Sequence, residues 1–363
     1  MTWFSITPHD TFLVRDGRTF VTGEGAVFDS VMPQPSTMGG ILGSAIGGRF
    51  GWMRGPFAAW RYANGRRITY LPMPRDVVRA GGNLVTRVRP VHQPGQTTSG
   101  LVGEWLTDVD ARRRGVDGWE HVPELASIEL IASYLHDPDW AHVPRGPQRA
   151  TLEELFPEER RIGIARDDDG TVKQGYLYQT THRRPRDGVF MIEADLGRER
   201  LEPTQVPIGS ARRRAEVQVP IGSAGRRVAV AAVSDPPELP GPLDHYPKGR
   251  VLLYLATPAI WSGGAHPPLP DGAELVGSVL GPVETVAMGA NHQNGIDQTS
   301  LRWAVPAGSV FFVQFPDADT AGAWVHDLTN PQDEGRPALT LTSGDIASTG
   351  FGVVLTGTWR YAE

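Results

Sequence analysis

The sequence predicts an α+β protein built mainly from strands, on three observations. Between 161 and 180, RIGIARDDDGTVKQGYLYQT places two extended arms around Asp169-Gly170, a dipeptide that favours a tight hairpin. Beyond a proline-rich stretch at 233–249, short apolar runs recur at 250–257, 274–279, 302–305, 309–315 and 351–359. They flank one helical pattern at 318–327 that Asn330-Pro331 closes, which suits an α+β sandwich with helices on one face. Near the N-terminus a helix is expected after Pro33-Gln34-Pro35, starting at Ser36 or Thr37, both good N-cap residues.

In chain order, residues 2–14 alternate loosely and carry aromatics, as a first strand does. In the helix that follows, Met38, Leu42 and Ala45 share a face, while Gly39, Gly43 and Gly47 form a bare stripe. A glycine costs roughly 1 kcal/mol relative to alanine in a helix. Five of them (Gly39, Gly40, Gly43, Gly47, Gly48) are therefore expected to serve a close approach, of backbone or of helix to sheet. Arg15 and Arg18 precede this helix, whose free N–H groups favour an anion, so a phosphate is expected beside Arg15, Arg18, Ser36, Thr37, Gly39 and Gly40. Neither a P-loop nor a G-x-G-x-x-G turn is present, which leaves a nucleotide-driven enzyme without support.

Residues 54–150 are irregular, with Pro and Gly punctuation and a short apolar period at 125–135; a strand or two and a partly helical insertion are expected. The acidic run Asp167-Asp168-Asp169 lacks the spacing of a calcium loop and suits a solvated turn. Residues 188–194 read as an apolar strand. Val-Pro-Ile-Gly-Ser-Ala then occurs twice, at 206–211 and 219–224, followed by Arg212, Arg213, Arg214 and by Arg226, Arg227. A duplicated strand-turn unit with two arginine clusters fits this, and the clusters serve either RNA or an edge guarded against aggregation. The expected division is a first domain over 1–232 with its insertion at about 54–150, a linker at 233–249, and a second domain over 250–363.

With 363 residues, 40% of them hydrophobic, the chain can build sizeable cores. No run approaches the roughly 18 apolar residues of a membrane span, and residues 1–10 lack a signal-peptide pattern, so a cytoplasmic protein without a membrane partner is expected. The absence of cysteine removes disulfides, thiolate metal sites and a cysteine nucleophile. A net charge of −6 argues against free-standing nonspecific nucleic-acid binding, which depends on phosphate neutralisation. Only Lys173 and Lys248 among the 35 basic residues are lysines, so the positive charge is almost all guanidinium, the group that forks onto phosphate. The ten histidines are scattered outside any metal spacing, and no cofactor, metal or catalytic residue is expected; His9 and His292 are the only histidines that merit a test as general bases. Ten tryptophans spread from Trp3 to Trp359 suit cores better than a sugar-binding surface.

Several phrases occur in order across almost the whole chain: RDGRTF, MPQPSTMGGILGSAIG, IGIARDDDGTVKQGYLYQT, PIGSAGRR, ATPAIWSGG, AVPAGSVFFVQF and STGFGVVLTGTW. Together they resemble the third subunit of the Cmr effector complex, the type III-B CRISPR machinery, within the RAMP superfamily. The chain departs from that pattern at Asn291 to Asp297, where a Gly-Trp-Asp type phrase is usual, and in the duplicated hexapeptide. The resemblance implies two ferredoxin-like, RNA-recognition-like domains and no catalysis. It further implies partners: the repeat-derived 5′ handle of the guide RNA, the large polymerase-like Cas subunit and other Cmr subunits. Gly350, Gly352 and Gly357 would then bracket a loop that lies along the RNA backbone, whereas on residues alone the same loop reads first as a tight hairpin ending in Trp359. The alternative within the superfamily is an endoribonuclease that processes guide precursors.

Overall fold

The computed structural model describes residues 1–14, 27–80, 84–92, 105–108, 116, 118–144, 146–166, 169, 171–197, 217–221, 226–288, 300–331, 337–342 and 346–362. It is a mixed α/β structure, dominated by antiparallel strands, with four α-helices among the described residues: α1 Pro35–Ile46, α2 Ile128–His136, α3 Leu152–Leu155 and α4 Ala318–Thr329. Its contacts group the chain into two compact units. The first is Met1–Arg67, Leu152–Pro236 and Thr285–Arg302; the second is Ile68–Thr151, Pro237–Glu284 and Trp303–Glu363. This grouping differs from the sequential division expected from sequence, because residues 68–151 belong with the C-terminal segments. The expected strand or two between 54 and 150 is also an underestimate, since that stretch holds several short strands and one helix.

The first unit carries a sheet in which Trp52–Arg61, Gly188–Asp195, Thr2–Pro8, Arg226–Ala232 and Val217–Ile221 lie side by side, each antiparallel to its neighbour. In chain order its four longest strands therefore run second, third, first, fourth across the sheet. Helix α1, Pro35–Ile46, connects the first to the second. A second sheet pairs Glu158–Arg166 with Val172–Arg183, the hairpin legible in the sequence, and adds Val27–Asp29 in parallel. Phe12, Phe156 and Phe190 join at ring separations of 4.7–5.8 Å, Phe156 stacked on Phe190. Gly188 permits that stack, because a Cβ there would lie 2.6 Å from the Leu155 carbonyl oxygen and from the Phe156 ring.

Helix α1 begins at Pro35, with Gln34 as an N-cap that makes no side-chain cap bond. Ser36 and Thr37 thus fall inside the first turn rather than at its boundary. Proline sets φ for that first position and lacks only an N–H that the helix leaves unpaired there anyway. At the other end Gly47 adopts φ 66° and its N–H donates to the Gly43 carbonyl, a left-handed C-cap. Among the described residues the glycine stripe receives no backbone from another strand or helix. A Cβ on Gly39 would meet the Phe50 ring at 3.4 Å, one on Gly43 only the Gly48 carbonyl at 3.3 Å, and one on Gly40 nothing within 4 Å.

In the second unit, Glu274–Val279, Val310–Gln314, Arg250–Leu255 and Val354–Gly357 form an antiparallel sheet. Numbered along the chain, these strands again run second, third, first, fourth. Helix α4, Ala318–Thr329, follows the third strand; Asp317 caps it by accepting from the Thr320 N–H at 2.7 Å. Ala321, Val325 and Leu328 pack with Val251, Leu253, Leu255, Phe311 and Val313 on one face. The other face is covered by helix α2, Ile128–His136, which stands on the Val354–Gly357 strand. Tyr134 meets Tyr254 at 6.5 Å, and the Thr358 N–H donates to the Leu135 carbonyl at 3.1 Å. Helices therefore cover both faces of this sheet, not one, and the covering helix comes from residues that the sequence assigned to the first domain.

A buried ionic cluster fixes the end of α2. Arg87, 1% exposed, donates to Asp76 at 3.0 Å and to the carbonyls of Tyr134 and Asp137 at 3.3 and 3.1 Å, the negative end of the helix dipole. The Tyr134 hydroxyl donates to the other Asp76 oxygen at 2.7 Å, and burial holds its pKa well above the usual phenol value, so it remains a donor. The C-terminal residues fasten the same unit. Arg250 sits over the rings of Trp359 and Tyr361 at 5.1 and 4.4 Å, Arg360 pairs with Asp139, and the Ala362 N–H donates to the Pro90 carbonyl.

His121, in the short strand Glu120–His121 opposite Val78, is a pH-dependent weak point. Burial, and after it the Arg75 guanidinium, depress its pKa from 6.5 to about 4. The unfolded chain then binds a proton that the folded chain refuses as pH falls from about 6.5 toward 4, so stability declines across that window. Urea midpoints at pH 7 and pH 5 should drop further for the wild type than for His121→Gln. Equal drops would show that His121 carries none of the effect.

Candidate RNA-binding surface

The expected phosphate site divides into a part that the structure describes and a part that it does not. Arg15, Arg18, Arg212, Arg213 and Arg214 lie outside the described residues, as do His292 and the first copy of the hexapeptide. Helix α1 brings Ser36 and Thr37, both half-buried, to its first turn, with no acidic side chain there. It packs against Val217–Ile221, which contains the start of the second hexapeptide copy. That strand pairs with Arg226–Ala232 in a register that sets Ile221 opposite Arg226 and Pro220 opposite Arg227. Helix α1 and the strand bearing Arg226 and Arg227 thus adjoin the same edge strand, and Arg227 is exposed. Sequence spacing alone could not show this, because the two segments are joined only through sheet pairing.

His9 follows the first strand, and its N–H donates to the Arg227 carbonyl at 3.1 Å. Its neighbour Asp10 pairs with Arg184 at 3.2 Å. The buried His182 lies 3.4 Å from the Thr11 hydroxyl. Among the described residues no group of three His, Asp or Glu side chains is arranged to hold a metal, and none of their helices is long and apolar enough to cross a membrane.

Gly350 and Gly352 belong to the second unit, and their geometry has a local account. Both have positive φ, 90° and 70°. The Gly352 N–H donates to the Pro258 carbonyl at 2.7 Å and its own carbonyl accepts from Leu341 at 2.8 Å. The Gly350 carbonyl accepts from the Thr257 hydroxyl at 2.8 Å, and both glycines are buried. A Cβ at Gly352 would lie 3.0 Å from Thr342 Cβ and 3.1 Å from the Leu341 oxygen. These glycines close a packed turn, and the Gly352 amide that was expected to reach phosphate already bonds within the chain.

The sequence reading passed over the run Trp60-Arg61-Tyr62 and Arg66, although its Asn64-Gly65 turn between basic residues was visible. These arginines are exposed; the Arg61 N–H donates to the Asp187 carbonyl at 2.9 Å, and the adjacent Arg186 is exposed as well.

Fold and surface together define a strand-dominated α/β protein whose cationic side chains are nearly all arginine. Its family is shown by sequence: the model for CRISPR-associated protein (Cas_Cmr3) matches residues 4–359, and the chain belongs to that family. No curated protein matches it. Among solved structures it is similar to a chain of the cryo-EM structure of the Type III-B Cmr-beta bound to cognate target RNA and AMPPnP, state 1, with 14% identity, a TM-score of 0.45, and coverage of 92% of this chain and 90% of that one. A chain of the Type III-B Cmr-beta bound to cognate target RNA gives 15% identity, a TM-score of 0.44 and the same coverage.

Proposed function

We propose that this chain is a non-catalytic RNA-binding subunit of a type III-B CRISPR effector complex in the cytoplasm. In this reading it holds the repeat-derived 5′ handle of the guide RNA beside the large polymerase-like subunit and other Cmr subunits. The observation that carries the proposal is membership of the Cas_Cmr3 family over residues 4–359. The strand orders support it: second, third, first, fourth in both sheets is the order of a ferredoxin-like β-α-β-β-α-β unit. On that reading the first unit retains the first crossover helix as α1, and the second unit retains the second crossover helix as α4.

The experiment is reconstitution of the complex with the double variant Arg15→Ala with Arg18→Ala, followed by measurement of retained guide RNA and melting temperature. Each charge-assisted phosphate contact contributes on the order of 1.5–3 kcal/mol, so guide retention should fall markedly with little change in melting. Unchanged retention with a melting temperature lowered by many degrees would make these arginines structural. Incubation of the purified chain with labelled repeat RNA should give binding without a cut at a fixed position. Such a cut, lost in His9→Ala or His292→Ala, would establish an endoribonuclease instead.

A further inference from the structure

We infer that the turn following the Trp52–Arg61 strand is a separate contact for single-stranded RNA, outside the positions expected from sequence. The turn is well formed. The Tyr62 N–H donates to the Arg66 carbonyl and the Gly65 N–H to the Tyr62 carbonyl, both at 2.9 Å, while the Arg66 N–H donates to the Asn64 side chain at 3.0 Å. It holds Trp60 and Tyr62 together, ring centroids 6.4 Å apart and planes at 43°, with Tyr62 36% exposed. The Arg61 N–H bond to Asp187 brings the 184–187 segment alongside.

Three guanidinium groups at this end of the unit, those of Arg61, Arg66 and Arg186, are exposed and form no ion pair with any described residue. The neighbouring Arg184 differs, since Glu159 and Asp10 balance it. A protein of net charge −6 thus places three exposed guanidinium groups, against the single carboxylate of Asp187 on these two segments, beside two adjoining aromatic rings. Guanidinium forks match phosphate, and aromatic faces stack on any unpaired base, so the combination suits a single strand without regard to its sequence. Tryptophan, tyrosine and arginine also anchor protein interfaces, so docking of a protein partner is one outcome that the test must separate. The inference deepens the RNA-binding reading and rests on it for the choice of ligand.

The test titrates the full-length chain with a uridine 12-mer at low salt and maps cross-links from a 5-iodouridine version of the same probe. Cross-links should fall on the peptide bearing Trp60 and Tyr62. The double variant Arg61→Glu with Arg66→Glu should weaken binding about tenfold and flatten the salt dependence by roughly 1.4 in the slope of log K, the share of two phosphates on a single strand. Tyr62→Ala, at an exposed position, should abolish the cross-link while leaving the fold intact. Absence of 12-mer binding by the wild type, or unchanged affinity in both variants, would overturn the inference. So would loss of partner subunits in the double variant with 12-mer affinity unchanged, which would assign the turn to protein docking. Guide retention by the reconstituted complex separates the two proposals. Retained guide with lost 12-mer binding supports this site, whereas a wild-type complex that holds no guide defeats the proposed function whatever the 12-mer shows.

Discussion

Replacing Asp76 by Ala should cost about 3–5 kcal/mol of stability, because it strands a guanidinium that is 1% exposed. Arg87 would keep its bonds to the Tyr134 and Asp137 carbonyls, but its charge would have no counter-ion, and the Tyr134 hydroxyl would lose its acceptor as well. The arithmetic of buried pairs adds a second arm. Removing both charges with Asp76→Ala and Arg87→Met should recover much of the loss, since an apolar replacement has no desolvation to repay. Urea denaturation of the single and double variants measures both. A single variant within about 1 kcal/mol of wild type would mean that water reaches Arg87, contrary to its burial.

Gly357→Ala should also be severe, at roughly 3 kcal/mol, the upper part of the overpacking range. A Cβ at that position would lie 2.8 Å from the Leu135 Cα and closer still to its carbonyl oxygen, so the obstacle is the backbone of α2 and no rotamer relieves it. Gly40→Ala is the control in the opposite direction. Its Cβ meets nothing within 4 Å, and an alanine in that helix should add roughly 0.5–1 kcal/mol. If both alanines behaved alike in thermal melts, close approach of α2 to the sheet would not be the reason for glycine at 357.

The strands of the second sheet were legible because each is an apolar run bounded by turn residues, and the hairpin at 158–183 was legible because Asp169-Gly170 marks its reversal. Helix α1 was placed to within two residues; its start was misjudged because a proline at the first position outcompetes a serine or threonine one residue later. The grouping of 68–151 with the C-terminal segments could not be read. No local signal in Leu125 or Tyr134 states that the helix following Ser127 will cover strands more than a hundred residues away. Of the expected site, the neighbourhood of α1 and Arg226 depended on sheet register. The burial of Gly350 and Gly352 depended on Pro258 and Leu341, which are far from them in sequence. The Trp60 to Arg66 turn was readable in composition, but the absence of ion pairs at Arg61, Arg66 and Arg186 among the described residues is a property of three dimensions alone.

The dependence of α2 on Gly357 also has a meaning for synthesis. The helix leaves the ribosome roughly 220 residues before the strand it stands on, which at about 5–20 residues per second is a wait of roughly ten to forty seconds. For much of that interval the apolar face formed by Ile131, Tyr134 and Leu135 lacks its full cover, since Tyr254 emerges part-way through it and Val354–Gly357 only at its end. The nascent chain should therefore engage holding chaperones from the emergence of α2 until that of Val354–Gly357, and slowing translation between them should lower soluble yield more than slowing it elsewhere.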